Sequence, residues 1–232
     1  MNDNFQTAYV LHVRHYRETS GLVDFMTHDS GRLSLLAKGY KRQGKSAKSF
    51  LQPFRKLSIT WRGRGELKTL AAAEELAGPV NLEGQSLISG LYINELITRL
   101  LQPMDPHPEL FELYEQTISL LSNPLNLESV LRLFERNVLD VMGYGLQLTA
   151  NSDGEEIEED VDYCYVVDQG AVKSNKVLQN GIMLKGKTLL SLNASDMMDP
   201  EVLKESKNLM RYVLSHHVGN KPLKTRDLFR YY

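Results

Sequence analysis

Cysteine is almost missing from this chain, because Cys164 is the only one among 232 residues. A single cysteine excludes an internal disulfide and a cysteine-rich structural zinc site, and it suits a reducing compartment. Long apolar runs are also missing: the most apolar segment, LYINELITRLLQ, contains Glu95 and Arg99 and falls short of the ~20 residues that a membrane span needs. The first residues lack the basic and apolar segments of a signal peptide, so we expect a cytoplasmic protein with no membrane partner.

Acidic residues are scarce in one part of the chain. Residues 31–70 contain 11 lysines and arginines but a single acid, Glu66. Residues 1–80 carry a net charge of +6, whereas the remaining residues carry −8, and the overall charge of −2 hides this difference. Such asymmetry predicts a polyanionic partner for the first part of the chain, although a merely solvated surface would also be charged.

The first 80 residues have the alternation and turn signals of β structure. AYVLHVRHY alternates with Tyr9, Leu11 and Val13 on one face, and RKLSITWRG points Trp61 inward with its other apolar residues. Five such short segments predict a small barrel over residues 1–80.

Helical spacing begins near residue 83 and predicts a mainly helical domain over residues 81–232. We expect an acidic loop near 151–162 and a short hairpin around YCYVVDQGAV. The predicted fold class is therefore α+β with two domains. The expected helices lie at about 87–101, 110–121, 127–142 and 199–216.

A phosphate-binding motif is spelled within AKGYKRQGKSAKS, where Gly39, Gly44, Lys45 and Ser46 form G-x-x-x-x-G-K-S. Such a loop works when a strand delivers it and a helix leaves it. Here a strand precedes the loop, but SAKSFLQPF soon reaches a proline and another strand follows. A nucleotide hydrolase that uses Gly39–Ser46 is therefore the second hypothesis, behind a basic loop that binds nucleic acid.

The basic loop and the neighbouring strands predict a groove for a sugar-phosphate backbone. Each neutralised phosphate adds about 0.7 to the salt dependence of single-strand binding, and an aromatic ring can stack on a base. An OB-fold protein that binds RNA is a third hypothesis. The residues that we expect to contact the nucleic acid are Arg32, Lys38, Tyr40, Lys41, Arg42, Lys45, Lys48, Lys56, Arg62 and Arg64.

Several blocks occur in an order that is specific in combination: GRLSLLAKG, LQPF, GRGELKTL, SGLYINELITRLL, LRLFERNVLDVMGYGLQL and GNKPLKTRDLF. Over nearly its whole length the chain resembles the RecO family, the bacterial recombination mediators, and most closely the proteobacterial branch. The resemblance implies an N-terminal OB-fold, a helical C-terminal domain, no catalytic residues and no cofactor. Some members carry a four-cysteine zinc module, but this chain has only Cys164 in that region, so we expect no metal.

The resemblance also implies partners. It implies binding of single- and double-stranded DNA, annealing of complementary strands, and loading of RecA onto strands coated by single-stranded DNA-binding protein (SSB), together with RecR and at the nucleoid. The family binds the acidic tail of SSB on its helical domain, which requires an apolar pocket and a cation. For that tail we expect Leu131, Arg132, Arg136 and Leu139, although the apolar residues are also explained as ordinary core. Further basic contacts are expected at Lys221, Lys224 and Arg226.

Overall fold

The computed structural model describes residues 5–40, 50–63, 65, 67–174, 177–219 and 221–229. Its strands are β1 (Gln6–Tyr16), β2 (Ser20–Thr27), β3 (Gly31–Ala37), β4 (Lys56–Arg62), β5 (Lys68–Glu75), β6 (Asp162–Val166), β7 (Gly170–Lys173) and β8 (Ile182–Lys185). Its helices are α1 (Gly84–Leu100), α2 (Pro108–Leu120), α3 (Leu127–Val141), α4 (Gly186–Ala194), α5 (Pro200–His217) and α6 (Thr225–Leu228). The predicted α+β class is confirmed, with a barrel followed by a helical region.

The first five strands close into a barrel in the order β1-β2-β3-β5-β4. Strand β1 pairs with both β2 and β4, which closes the barrel, and β3 pairs with β5 in parallel while the other pairs are antiparallel. The pairing of β3 with β5 is short and joins only Leu35 with Lys68 and Leu36 with Thr69. This five-stranded arrangement is an OB-fold barrel, as the resemblance implies.

Alternation along the strands fills the barrel interior with apolar side chains. Trp61 is only 5% exposed and belongs to this interior, which confirms its predicted place in the core. The other large members of the interior cluster are Val10, Val23, Phe25, Leu33, Leu35, Tyr40, Leu51, Leu57 and Ile59.

A β-bulge after Val10 changes which side chains of β1 point inward. Ala8 and Val10 belong to the interior cluster, and beyond the bulge Val13 packs against the same cluster. Tyr9 and Leu11 are buried too, but outside that cluster. The expectation that Tyr9, Leu11 and Val13 share one face is therefore wrong, because the extra residue of a bulge shifts the alternation by one.

The outer face of β1 is covered by α1 and α2. The Tyr9 ring centroid lies 5.5 Å from that of Phe111 and 5.0 Å from that of Tyr114. Asn94 of α1 donates from Nδ2 to the carbonyl oxygen of Leu11 at 2.8 Å, and its Oδ1 accepts from the Tyr114 hydroxyl at 2.8 Å. Both polar side chains are buried with their hydrogen bonds satisfied, which fixes these helices on the strand.

An ionic cluster lies at the edge of this packing. The Tyr9 hydroxyl donates to Oε1 of Glu115 at 2.9 Å, and the Lys56 ammonium pairs with the same oxygen. Burial raises the pKa of Tyr9, and the hydrogen bond to Glu115 adds to that rise. Burial alone would raise the pKa of Glu115, but hydrogen bonds from Lys56 and Tyr9 bring it below the ordinary value.

Glu95 of α1 holds the C-terminal segment. Its Oε1 accepts from the backbone N–H of Lys224 at 2.9 Å, and its Oε2 accepts from the N–H and hydroxyl of Thr225 at 2.9 and 2.7 Å. The Phe229 ring adds an edge contact to Tyr92, with 6.3 Å between centroids. Burial acts to raise the pKa of Glu95, but the donors from Thr225 and Lys224 outweigh it and lower that pKa.

The chain divides into two compact units, Met1–Pro124 with Leu223–Tyr232 and Leu125–Pro222. The first unit thus combines the barrel with α1, α2 and α6. A boundary near residue 80 stays a prediction, since α1 and α2 pack with the barrel here.

The second unit packs helices against a three-stranded sheet of order β7-β6-β8. Helix α3 begins after Asn126 and is followed by Gly143 at φ 78°, and Asp199 caps α5 by accepting from the N–H of Glu201 at 2.8 Å. These ends agree with the sequence, and β6 with β7 forms the expected hairpin. Strand β8 and helix α4 were not predicted.

We expect the substitution Asn94→Ala to lower the free energy of unfolding by about 2–3 kcal/mol, because it leaves the Leu11 carbonyl and the Tyr114 hydroxyl buried without this partner. Urea denaturation followed by circular dichroism measures the change. Asn81→Ala is the control, since Asn81 is exposed and its effect should stay within about 0.5 kcal/mol. Equal effects of the two substitutions would contradict the role of Asn94.

We expect docking of the C-terminal segment to depend on pH through Glu95. Its folded-state pKa lies below the ordinary 4.5, so its stabilising contribution is complete above about pH 4.5 and is lost as the pH falls through the folded-state value. Hydrogen-exchange protection of the Lys224 and Thr225 amides should fall in that acidic range. Glu95→Gln should reduce protection and remove the pH dependence, whereas the exposed Glu112→Gln should change neither; persistence of the pH dependence in Glu95→Gln would rule out this cause.

Candidate nucleic-acid interface

One end of the barrel carries an open cleft of about 470 Å³. It is bordered by the turn that joins β1 to β2, by the end of β3 and the residues that follow it, and by Leu67 in front of β5. In OB-folds the corresponding loops border the surface that binds oligonucleotides. The residues that line the cleft are Tyr16, Arg17, Thr19, Ser20, Leu36, Lys38, Gly39 and Leu67.

Two cations line this cleft. Arg17 and Lys38 are exposed, and neither forms an ion pair with any residue that the structure describes. Arg62, at the end of β4, is likewise exposed and unpaired within the described ranges. Unpaired surface cations are the groups that a phosphate backbone can neutralise.

Arg17 adopts a backbone conformation that is unusual for its residue type. Its φ of 53° lies in the left-handed region, which costs a residue with a side chain roughly 1–2 kcal/mol relative to the ordinary conformation. Its guanidinium carbon lies 5.4 Å from the ring centroid of Tyr16, within cation–π range. The turn thus holds a cation and an aromatic ring together at the cleft.

The other basic residues predicted to contact DNA fall into two groups. Lys41, Arg42, Lys45, Lys48 and Arg64 lie outside the described residues. Arg32 and Lys56 lie within the described residues and interact with other groups of the protein.

Arg32 and Lys56 have structural partners. The Arg32 Nε donates to the carbonyl oxygen of Leu101 at 3.1 Å, and its backbone oxygen accepts from the N–H of Met104 at 3.0 Å. Lys56 is held by Glu115. A phosphate would have to compete with these partners, so the structure does not present either residue as a free contact.

Tyr40 is only 7% exposed and belongs to the barrel interior. Its ring lies against Gly21, where an added Cβ would come within 3.0 Å of the ring, so the absence of a side chain makes room for it. The expectation that Tyr40 stacks on a base is not supported, because stacking needs an exposed ring face.

The sequence analysis missed Tyr16 and Arg17. An aromatic residue followed by a cation ends the first strand, in HYRETSG, and this position at an OB-fold turn is the signal that would have found them. The excess of positive charge over residues 31–70 favours the later loop instead.

Among the described residues, no helix follows the phosphate-binding motif before β4 begins. Strand β3 ends at Ala37, the segment 41–49 lies outside the described residues, and β4 begins at Lys56 without a described helix between them. The surrounding sheet is a barrel with mostly antiparallel pairing, whereas this motif belongs to a βαβ unit.

The residues predicted for the SSB tail are mostly internal to the second unit. Leu131 is 6% exposed and Leu139 fully buried. The guanidinium of Arg132 is buried and pairs with Glu135 across 2.7 Å, while its Nε has no hydrogen-bond partner among the described residues. These contacts correct the expectation of an exposed apolar pocket beside a free arginine.

Arg136 closes the C-terminal end of α4. Its Nη1 donates to the carbonyl oxygens of Leu192 at 2.7 Å and of Asn193 at 3.0 Å. A cation there satisfies carbonyls that the helix itself leaves unpaired. Arg136 therefore has a structural task that the sequence did not reveal.

The three basic residues near the C-terminus lie on the surface to different extents. Lys221 and Lys224 are exposed and Arg226 is half-buried, and none forms an ion pair within the described part of the chain. The backbone N–H of Lys224 donates to Glu95, and that of Arg226 donates to the carbonyl oxygen of Leu223 at 3.3 Å.

The acidic loop is ordered by its own hydrogen bonds. The side-chain oxygen of Asn151 accepts from the N–H groups of Asp153 and Glu155, both at 2.9 Å. Among the residues placed by the structure, no three His, Cys, Asp or Glu side chains are grouped to hold a metal ion, and Cys164 is buried. No helix in the described ranges is long and apolar enough to cross a membrane.

Comparison with known proteins extends over both parts of the fold. Residues 1–78 match the family model described as Recombination protein O N terminal, and residues 82–227 match Recombination protein O C terminal. The DNA repair protein RecO of Nitrosococcus oceani is 44% identical over 225 residues, which cover 96% of this chain and 91% of the relative. Those of Nitrosospira multiformis and Haemophilus influenzae are 41% and 40% identical over 227 and 230 residues, covering 97% and 99% of this chain and 94% and 97% of the relatives.

The two family models together span the OB-fold barrel and the helical region, and the relatives are similar along almost their entire length. The chain therefore belongs to the Recombination protein O (RecO) family.

Proposed function

We propose that this protein is a DNA-repair mediator without catalytic activity that binds DNA at the open end of its barrel. In this role it binds single- and double-stranded DNA and anneals complementary strands in the bacterial cytoplasm, at the nucleoid. With RecR it helps to load RecA onto strands coated by SSB. Family membership supports the repair role, and the relatives carry the name DNA repair protein.

The observation that carries the DNA-binding proposal is the set of unpaired cations at one end of the barrel. Arg17 and Lys38 line the cleft and Arg62 lies at the end of β4, next to the connection that borders it. No acid in the described residues neutralises them. Further basic residues of the 41–49 segment follow Lys38 in the chain and would extend this charge.

Annealing needs no covalent chemistry in this mechanism. Two strands repel each other through their phosphates, and cations placed between them reduce that repulsion. A surface that holds both strands also raises their effective concentration. The free energy comes from the phosphate contacts and the base pairing, so no nucleotide is consumed.

The helical region remains the proposed docking site for the SSB tail, but on the resemblance alone. Arg132 would have to leave Glu135 to meet a tail carboxylate, and breaking a buried pair is costly. The exposed Lys221 and Lys224 are cations that need no such exchange.

We expect the protein to accelerate annealing of complementary SSB-coated strands without ATP. Joint replacement of Lys41, Arg42, Lys45 and Lys48 by glutamine should lower the salt slope of single-strand binding by about 3, at about 0.7 per phosphate. Fluorescence anisotropy at a series of salt concentrations measures the slope, and RNA competitors distinguish an RNA-binding protein. ATP turnover that disappears in Lys45→Ala alone would instead establish the nucleotide hydrolase.

We also expect the contribution of each barrel cation to DNA binding to depend on whether an acid of the protein already pairs with it. Arg62→Met should lower the salt slope by about 0.7, because it removes an unpaired charge. Lys56→Met should leave the slope unchanged but destabilise the fold, because it leaves Glu115 without its cation. Anisotropy and thermal unfolding on the same samples separate the two effects. A larger slope change for Lys56→Met than for Arg62→Met would contradict this division.

A further inference from the structure

We propose that the cleft at the end of the barrel receives one unpaired nucleotide, whose base stacks on Tyr16. This inference rests on the proposed function, because it names what that DNA-binding surface holds at one position. The ligand of the cleft is a single-stranded segment. The neighbouring cations, in contrast, bind the phosphate backbone of single and double strands alike.

The shape of the cleft fits a ligand of nucleotide size. Its volume of about 470 Å³ lies in the range of roughly 300–1,000 Å³ that small-molecule sites occupy. The half-buried Tyr16 forms part of its wall, so the residue borders the open space without being fully exposed. A partly buried ring loses less conformational freedom than a fully exposed one when a base stacks on it.

The lining combines the groups that a nucleotide presents. Leu36 and Leu67 give apolar surface beside Tyr16, and Leu67 is 45% exposed. Thr19 and Ser20 bring hydroxyl groups suited to sugar or base edges. Apolar walls with a few polar groups are typical of sites that bind flat heterocycles.

Arg17 contributes charge at the same place. Its positive φ is strained for arginine, whereas glycine or asparagine would adopt it readily. Strain of this kind is often found at functional positions, and here it places a guanidinium in contact with the Tyr16 ring. With Lys38 it provides two cations for the phosphates that flank an inserted base.

The competition between stacking and base pairing selects the unpaired strand. A base stacked on an aromatic side chain gains roughly 5- to 150-fold in affinity. A paired base must first leave its duplex, which costs a free energy of similar size, so the gain is cancelled. The cleft therefore favours single strands, while the cations around it do not discriminate.

The test uses a 15-nucleotide oligothymidylate with one central 2-aminopurine, single-stranded or in a duplex. Stacking quenches this fluorophore, so wild-type protein should quench the single strand and leave the duplex signal nearly unchanged. Tyr16→Leu should abolish the quenching and weaken single-strand binding about tenfold, whereas Tyr16→Phe should retain both. Tyr144→Leu is the control, because Tyr144 is exposed in the other compact unit.

Arg17→Gly provides a second test that does not depend on the folding of Tyr16→Leu. Glycine suits the positive φ, so the melting temperature should be unchanged or higher while single-strand affinity falls about threefold or more. Arg14→Gln removes an exposed cation of β1 that does not line the cleft, and it should leave the quenching intact.

The outcomes separate this inference from the proposed function. Wild-type protein that binds neither oligonucleotide at low salt would overturn both. Binding without quenching, or quenching that Tyr16→Leu leaves unchanged, would overturn the inference alone. Equal quenching of the single strand and the duplex would refute the selection for unpaired bases.

Discussion

Burial of the outer face of β1 is the constraint on which the first compact unit depends. A barrel strand normally presents one face to its interior and the other to solvent, but here Tyr9 and Leu11 pack beneath α1 and α2. The bulge after Val10 makes this possible by letting residues on both sides of it serve the interior. The same strand is thus covered by helices at Tyr9, whereas at its other end Tyr16 lines an open cleft.

The same constraint divides the cations of the barrel. Lys56 lies at the covered face and is bound by an acid of α2, and Arg32 is held by a carbonyl that follows α1. Arg17 and Lys38, at the open end, have no acid among the described residues to meet them. Basic residues of the same type thus have structural partners at the covered face and no acidic partner among the described residues at the cleft, a difference that the sequence does not show.

Much of the fold was predictable because it follows from periodicity. The alternation of β4 and the spacing of α3 and α5 report which residues are buried, and local signals such as Asp199 and Gly143 set the helix ends. The bulge in β1 was not predictable, since it changes the face without changing the apolar pattern.

The candidate site was less accessible to sequence reasoning. Whether a cation is free depends on acids that are distant in the chain, as Glu115 is from Lys56, and burial of Tyr40 depends on the space beside Gly21. The small helix α4 escaped notice because nine residues give too few turns for a clear pattern. The sequence therefore predicts a basic barrel, but it does not identify Tyr16 and Arg17 as residues of the cleft.

Photo-crosslinking of an oligonucleotide that carries 5-iodouracil, followed by mass spectrometry of the adducts, tests the central claim most directly. If the open end of the barrel is the DNA-binding surface, adducts at low salt will fall on residues that line the cleft, such as Tyr16, Arg17, Lys38 and Leu67, and disappear as salt is raised. Adducts confined to residues 125–222, or placed on the covered face around Tyr9, would contradict the account.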